Sequence, residues 1–222
     1  MDISRKELAK AIDSTILRPD STYKDIEKLC EEAIRYRFAS VCVLPCYTSY
    51  SANLLDGSGV EICSVVGFPL GANYISTKLE EAESLLEHRC TELDMVISIQ
   101  ALMNGELAYV REEIEALGEL CHSNGAILKV IIETCLLNTK QKIDMCKIVS
   151  DAGADFIKTS TGFSKSGAEI ADILLFKEYI SDEVKIKASG GIRNLEQALQ
   201  FIDAGASRIG TSAGAAIMME YK

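Results

Sequence analysis

Histidine is scarce in this chain: His88 and His122 are the only two in 222 residues, and both fall in stretches with helical periodicity, away from any strand end. Cys-x-x-Cys pairs are missing as well. Cys42 and Cys46 offer half a zinc site, but no second pair of Cys or His at ligand spacing completes it, so metal-dependent chemistry finds no support and no metal is expected. Basic residues are in deficit, 23 Lys and Arg against 33 Asp and Glu, a net charge of −10. Without a basic face, non-specific binding to nucleic acid or to an anionic membrane is not expected, and an anionic ligand would have to be held by a local cluster of lysines and backbone N–H groups. Long apolar runs are absent too: none spans a bilayer, and the first residues, Met-Asp-Ile-Ser-Arg-Lys-Glu, lack the apolar core of a signal peptide. A cytoplasmic protein is the expectation, and in that compartment the eight cysteines read as small buried hydrophobes rather than disulfides. No Gly-x-Gly-x-x-Gly turn follows an early strand, which weighs against a nucleotide-binding doubly wound sheet; no cofactor is expected.

What the chain does have is alternation. Strand-like runs cover residues 11–17, 38–44, 60–66, 92–99, 126–132, 154–158, 184–188 and 207–210, several almost continuously apolar, as strands buried on both faces must be. Between them lie helical periods. Asp20 and Ser21 can cap the first of these, Thr77 with Glu80 and Asn194 with Gln197 form two candidate capping boxes, and further helices are expected over about 104–123, 139–151, 167–180 and 213–219. No linker or composition break interrupts the pattern. Sustained βα alternation means parallel pairing with right-handed crossovers, and eight units predict an α/β fold, a single (β/α)8 TIM barrel over residues 1–222 with a short extra N-terminal helix at about 4–10.

In such a barrel the C-terminal strand ends form the active face, and two lysines arrive there. The run Ala154-Asp-Phe-Ile-Lys-Thr-Ser-Thr-Gly162 brings Lys158 to a strand end, and Val184-Lys-Ile-Lys-Ala-Ser-Gly-Gly-Ile-Arg193 brings Lys187. A single lysine there can be a snorkelling or ion-paired residue. Two amines at one dry rim instead point to a depressed pKa and a nucleophile that forms a Schiff base with a carbonyl. Lys185 shares a face with Lys187 and is expected either deeper in the barrel beside an acid or twisted out. Asp94, in an otherwise apolar strand, reads equally as a proton relay or as a structural ion pair, and Asp13 is a second carboxylate of the same kind, able to orient a lysine. Three glycine-bearing loops, 159–162, 189–191 and 210–212, end adjacent strands and together suggest a phosphate cradle.

These segments, with Ile12-Asp-Ser-Thr-Ile-Leu17, Ser40-Val-Cys-Val-Leu-Pro45, Val66-Gly-Phe-Pro-Leu-Gly71, Leu93-Asp-Met-Val96 and Ala206-Ser-Arg-Ile-Gly-Thr-Ser212, make the chain resemble the deoxyribose-phosphate aldolases over nearly its whole length. The resemblance implies a metal-independent class I aldolase that reversibly cleaves 2-deoxy-D-ribose 5-phosphate to D-glyceraldehyde 3-phosphate and acetaldehyde. It implies Lys158 as the Schiff-base residue, Lys187 lowering its pKa, and Asp94 in proton transfer. Gly162, Gly190, Gly191 and Ser212 are the implied phosphate contacts, and Thr15, Cys42 and Thr159 the implied pocket lining. Ser14 and Leu44 depart from the family pattern, which often has His and Asn there, so substrate fit and loop packing are where differences are expected. A homodimer is compatible with such a barrel. Tyr221 has two readings, a proton donor folded over the mouth or a frayed tail.

Overall fold

The structure is a computed structural model that describes residues 3–221. Eight strands, β1 (Ile12–Ile16), β2 (Ser40–Val43), β3 (Glu61–Val66), β4 (Glu92–Val96), β5 (Ile127–Ile131), β6 (Phe156–Lys158), β7 (Lys185–Ser189) and β8 (Arg208–Thr211), pair in parallel and in chain order, and β8 closes on β1. The helices are α1 (Arg5–Lys10), α2 (Tyr23–Tyr36), α3 (Thr48–Leu54), α4 (Ile75–Glu87), α5 (Ile99–Met103), α6 (Leu107–Ser123), α7 (Thr139–Asp151), α8 (Ile170–Tyr179), α9 (Leu195–Ala204) and α10 (Gly214–Glu220).

Side chains alternate across each strand, and here the two faces differ in kind. Leu93 and Met95 of β4, Leu128 and Val130 of β5, and Ile186 and Ala188 of β7 join the large apolar core shared with the helices. Their neighbours Glu92, Asp94, Lys129 and Lys187 are just as fully buried, on the opposite parity, inside the barrel. The interior also holds a small apolar cluster of Leu17, Cys42, Cys63 and Val65, against which Leu44 packs. Ser14, of opposite parity to Asp13, is buried on the outer face of β1.

α1 covers the N-terminal end of the barrel. Lys10 Nζ donates to the carbonyls of Phe38 (3.3 Å) and Gly59 (3.4 Å), which lie just ahead of β2 and β3. Tyr221 is tied to the same end: its hydroxyl donates to Ile3 O at 2.5 Å, and its carbonyl accepts from Arg5 Nη1 at 3.1 Å. It is therefore neither over the mouth nor frayed.

Several expected boundaries move. The start of α2 is held by Thr22, whose N–H and Oγ1 both donate to Asp25 Oδ2 at 2.7 Å, because Asp20 pairs with Arg18 and Ser21 Oγ donates to Arg18 O. α4 begins at Ile75, so Thr77 and Glu80 fall inside it and make no capping box. The run 92–99 leaves the sheet after Val96, and Ser98 caps the short α5 that replaces its end. At that point the β3–α4 loop crosses so closely that a Cβ on Gly71 would lie 1.8 Å from Ile97 O. The second candidate box, at Asn194, forms by half: Asn194 Oδ1 accepts from Gln197 N, but the Gln197 side chain accepts from Arg193 N instead.

The end of β4 is fixed from behind by a fully buried pair. Lys78 of α4 lies 2.6 Å from Glu113 Oε2 on α6 and donates to Val96 O at 2.7 Å, while Glu113 Oε1 accepts from Ser98 N at 2.5 Å. Burial lowers the Lys78 pKa and raises that of Glu113, in each case against the attraction of the partner. Removing one member strands the other. Lys78→Met is expected to lower the unfolding free energy by about 3 kcal/mol in urea titration, and a change within about 0.5 kcal/mol would show the pair to be dispensable.

Candidate active site

The register sets the site. Lys158 lies opposite Lys187 across β6 and β7, and Asp94 opposite Lys129 across β4 and β5. The inward side chains form a closed ring of alternating charge. Asp94 Oδ2 is 2.6 Å from Lys187 Nζ, and Lys187 is 2.6 Å from Asp13 Oδ2, an ion pair without hydrogen-bond alignment. Asp13 Oδ1 accepts from Arg208 Nε at 2.6 Å, and Arg208 Nη2 donates to Glu92 at 2.7 Å. Glu92 Oε2 is 2.6 Å from Lys129, which returns to Asp94 Oδ1 at 2.9 Å. Lys158 hangs from this ring, donating to Asp94 Oδ2 at 2.7 Å.

Burial alone would neutralise these groups, and pairing reverses that outcome. For Asp94, burial favours the neutral acid, but Lys129, Lys158 and Lys187 outweigh it and hold the carboxyl well below the usual carboxylate range. Asp13 is held low in the same way by Lys187 and Arg208. Burial opposes the charge on Lys187, yet Asp13 and Asp94 raise its pKa above the ordinary lysine value; Asp94 does the same for Lys129. The carboxylates contribute stability above about pH 4 that is lost as pH falls through their lowered values, and the lysines contribute below about pH 10.4 and lose it above. Chemical unfolding across pH is expected to give a plateau from about pH 5 to 9 with losses at both ends; a stability that rises steadily with acid would contradict the ring.

Above the ring a cavity of about 420 Å³ opens at the C-terminal face, with Lys158 in its wall. Of the residues singled out in the sequence, Thr15, Gly162, Gly190, Gly191 and Ser212 also line it. Thr159, Cys42, Asp13, Asp94 and Lys187 are instead buried outside that lining. Thr159 ties β6 to β7, its Oγ1 accepting from Ser189 N at 3.1 Å. Cys42 faces Cys63 in the β2–β3 register, and Cys63 Sγ is 3.2 Å from Asp94 Oδ1. Cys42 is buried and Cys46 exposed, so the two thiols do not share a site. The thiols of Cys42 and Cys63 converge with Asp94 within 4.8 Å, but Lys129, Lys158 and Lys187 already occupy the carboxylate. Both histidines are exposed, His88 just past the end of α4 and His122 on α6 beside Asp155 at 3.0 Å.

The glycine loops meet backbone to backbone. Gly190 has φ +89° and takes Gly167 against it so tightly that a Cβ on Gly167 would lie 2.1 Å from Gly190 O. Lys185 lies at the other end of β7, exposed, its ammonium 5.8 Å from the Phe156 ring centroid, which is the twisted-out outcome rather than a deeper acid partner.

Several site residues escaped the sequence. Lys129, Glu92 and Arg208 complete the ring, and the signal for Lys129 was its isolation in Ala126-Ile-Leu-Lys-Val-Ile-Ile132, the feature that singled out Asp94. Glu133, with φ +53° and nearly buried, accepts from the N–H (3.3 Å) and hydroxyl of Thr161 and so braces the loop that carries Gly162. Arg18 and Arg193 add two exposed cations to the cavity rim.

A closed parallel barrel with an amine–carboxylate cluster opening into one cavity at its C-terminal face is the architecture of a (β/α)8 enzyme of carbonyl chemistry. The chain belongs to the DeoC/LacD family of aldolases: the model of that family matches residues 7–220. A deoxyribose-phosphate aldolase of Caldicellulosiruptor saccharolyticus is 54% identical over 219 residues, covering 98% of this chain and 100% of the relative. One from Treponema denticola is 50% identical, covering 96% and 98%. Among solved structures, the deoxyribose phosphate aldolase of Aeropyrum pernix, described as a unique tetramer, superposes with a TM-score of 0.91 at 36% identity, covering 98% of this chain and 92% of that one. Among the described residues, no helix is long and apolar enough to cross a membrane.

Proposed function

We propose that this aldolase reversibly cleaves 2-deoxy-D-ribose 5-phosphate to D-glyceraldehyde 3-phosphate and acetaldehyde through an imine on Lys158. One observation carries the reading: Lys158 alone of the buried cluster's lysines lines the cavity, and it shares its carboxylate oxygen with Lys187. Its neutral amine can leave the ring intact and attack the substrate aldehyde.

The neutral amine adds to C1, and loss of water gives the iminium. A proton leaves the C3 hydroxyl, the C2–C3 bond breaks, and its electron pair moves into the iminium to give an enamine as D-glyceraldehyde 3-phosphate departs. Protonation at C2 and hydrolysis then release acetaldehyde and restore Lys158. Asp94 Oδ2, between the two amines, and Lys187 pass these protons through water in the cavity. Gly162, Gly190, Gly191 and Ser212 hold the phosphate, with Arg18 and Arg193 supplying charge at the rim, while Thr15 orients the sugar. Cys42, Thr159 and Asp13 support the site from outside the cavity lining, Asp13 by orienting Lys187. The assembly on this reading is a homodimer acting in the cytoplasm, and a solution mass of one chain or of four would contradict the dimer.

Incubation with 2-deoxy-D-ribose 5-phosphate, followed by NMR, is expected to show acetaldehyde and D-glyceraldehyde 3-phosphate in equal amounts, unaffected by a metal chelator. Conversion to a keto phosphate without carbon–carbon cleavage would replace the aldolase reading with an isomerase.

A further inference from the structure

Counting charges around Lys158 leads to a residue that does not line the cavity. The buried ring contains the cations Lys129, Lys187 and Arg208 and the carboxylates Asp13, Glu92 and Asp94, and Lys158 is added to this balanced set. Each carboxylate oxygen of Asp13 and Asp94 already has a ring partner without Lys158. Other charged groups near β6 are engaged elsewhere or wet. Glu133 is turned onto Thr161, Lys185 is exposed at the far end of β7, Glu61 at the start of β3 is exposed and bound to Thr91, and Arg18 and Arg193 are exposed at the rim. The thiols of Cys42 and Cys63 complete the surroundings.

We infer that Lys129 is a positioning residue for the Schiff-base reaction: it holds Asp94 by Oδ1, leaving Oδ2 to Lys158 and Lys187, and its charge gives the buried cluster one cation too many, a surplus that Lys158 relieves by giving up its proton. The inference rests on Lys158 being the reacting amine. Lys129 is suited to this because it bridges Asp94 (2.9 Å) and Glu92 (2.6 Å) and is itself fully buried, so its charge acts on the cluster with little screening by water. Its raised pKa agrees with a charge that persists through turnover.

Three variants give three signs. Lys129→Met removes the surplus and should move the acidic limb of kcat/KM against pH upward by about one unit or more. Glu92→Gln enlarges the surplus and should move the limb down. The double variant Lys129→Met/Glu92→Gln removes one charge of each kind and should return the limb close to that of the native enzyme. It should also fold where Lys129→Met alone does not. If the limb stays fixed in the variants that fold, or if Glu92→Gln and the double variant move it in the same direction by the same amount, Lys129 is only structural and the inference is overturned. Cyanoborohydride trapping of acetaldehyde on the native protein separates the two levels. An ethyl group on Lys158 with stationary limbs overturns this inference alone, whereas no adduct on Lys158 overturns the imine reading and this inference with it.

Discussion

Lys158→Met is expected to lower kcat by about 10⁴-fold or more while leaving the melting temperature no lower than that of the native protein. The two halves of this result come from the same geometry. Lys158 is the only amine of the buried cluster in the cavity wall, so no neighbour can substitute as nucleophile. Yet its one carboxylate contact, Asp94 Oδ2 at 2.7 Å, is shared with Lys187 at 2.6 Å. Taking Lys158 away leaves the remaining cations and carboxylates of the ring in balance, with no oxygen of Asp94 stranded. Most buried lysines behave in the opposite way, because their loss leaves an uncompensated acid. Lys78, fully buried against Glu113, is the comparison within this molecule. Steady-state kinetics with a thermal melt on the same preparation tests both halves, and a variant that loses activity only because it melts early would contradict this account.

Asp94→Asn is expected to cost about 10³-fold in kcat and, unlike the lysine variant, about 3 kcal/mol of stability. Asp94 receives Lys129 on Oδ1 and both Lys158 and Lys187 on Oδ2. An amide in its place offers one acceptor and turns an N–H donor toward an ammonium, so Lys129 and Lys187 lose their common counter-charge. Urea titration alongside turnover checks it. Full activity in Asp94→Asn would show that the carboxylate serves the fold alone, the alternative that sequence by itself leaves open.

The barrel was legible because its signal is repeated: eight apolar runs in strict alternation with helical periods leave few other topologies, and all eight appear as strands. Lys158, Lys187 and Asp94 were legible because a charge in an apolar strand demands a partner, and the structure brings all three together at one carboxylate. The rest of the ring was hidden for a specific reason. Glu92 and Arg208 stand at strand starts, where a charge reads as a solvated boundary; only the closing of β8 on β1 and the shear of the barrel turn them inward onto Asp13 and each other. Thr22 took the start of α2 from Asp20 because a competing local contact, the Arg18–Asp20 pair, engages Asp20, and Tyr74 took that of α4 from Thr77 where the β3–α4 loop crosses close to Ile97. Tyr221 could not be placed at all from sequence, since its partners Ile3 and Arg5 lie at the opposite end of the chain.

The central claim, that Lys158 is the imine-forming amine, is tested most directly by reducing the protein with borohydride in the presence of acetaldehyde and mapping its peptides by mass. A single ethyl group is expected on Lys158, absent from Lys158→Met and present in Lys78→Met. An adduct on Lys187 or Lys129 instead, or none on a folded protein, would contradict it.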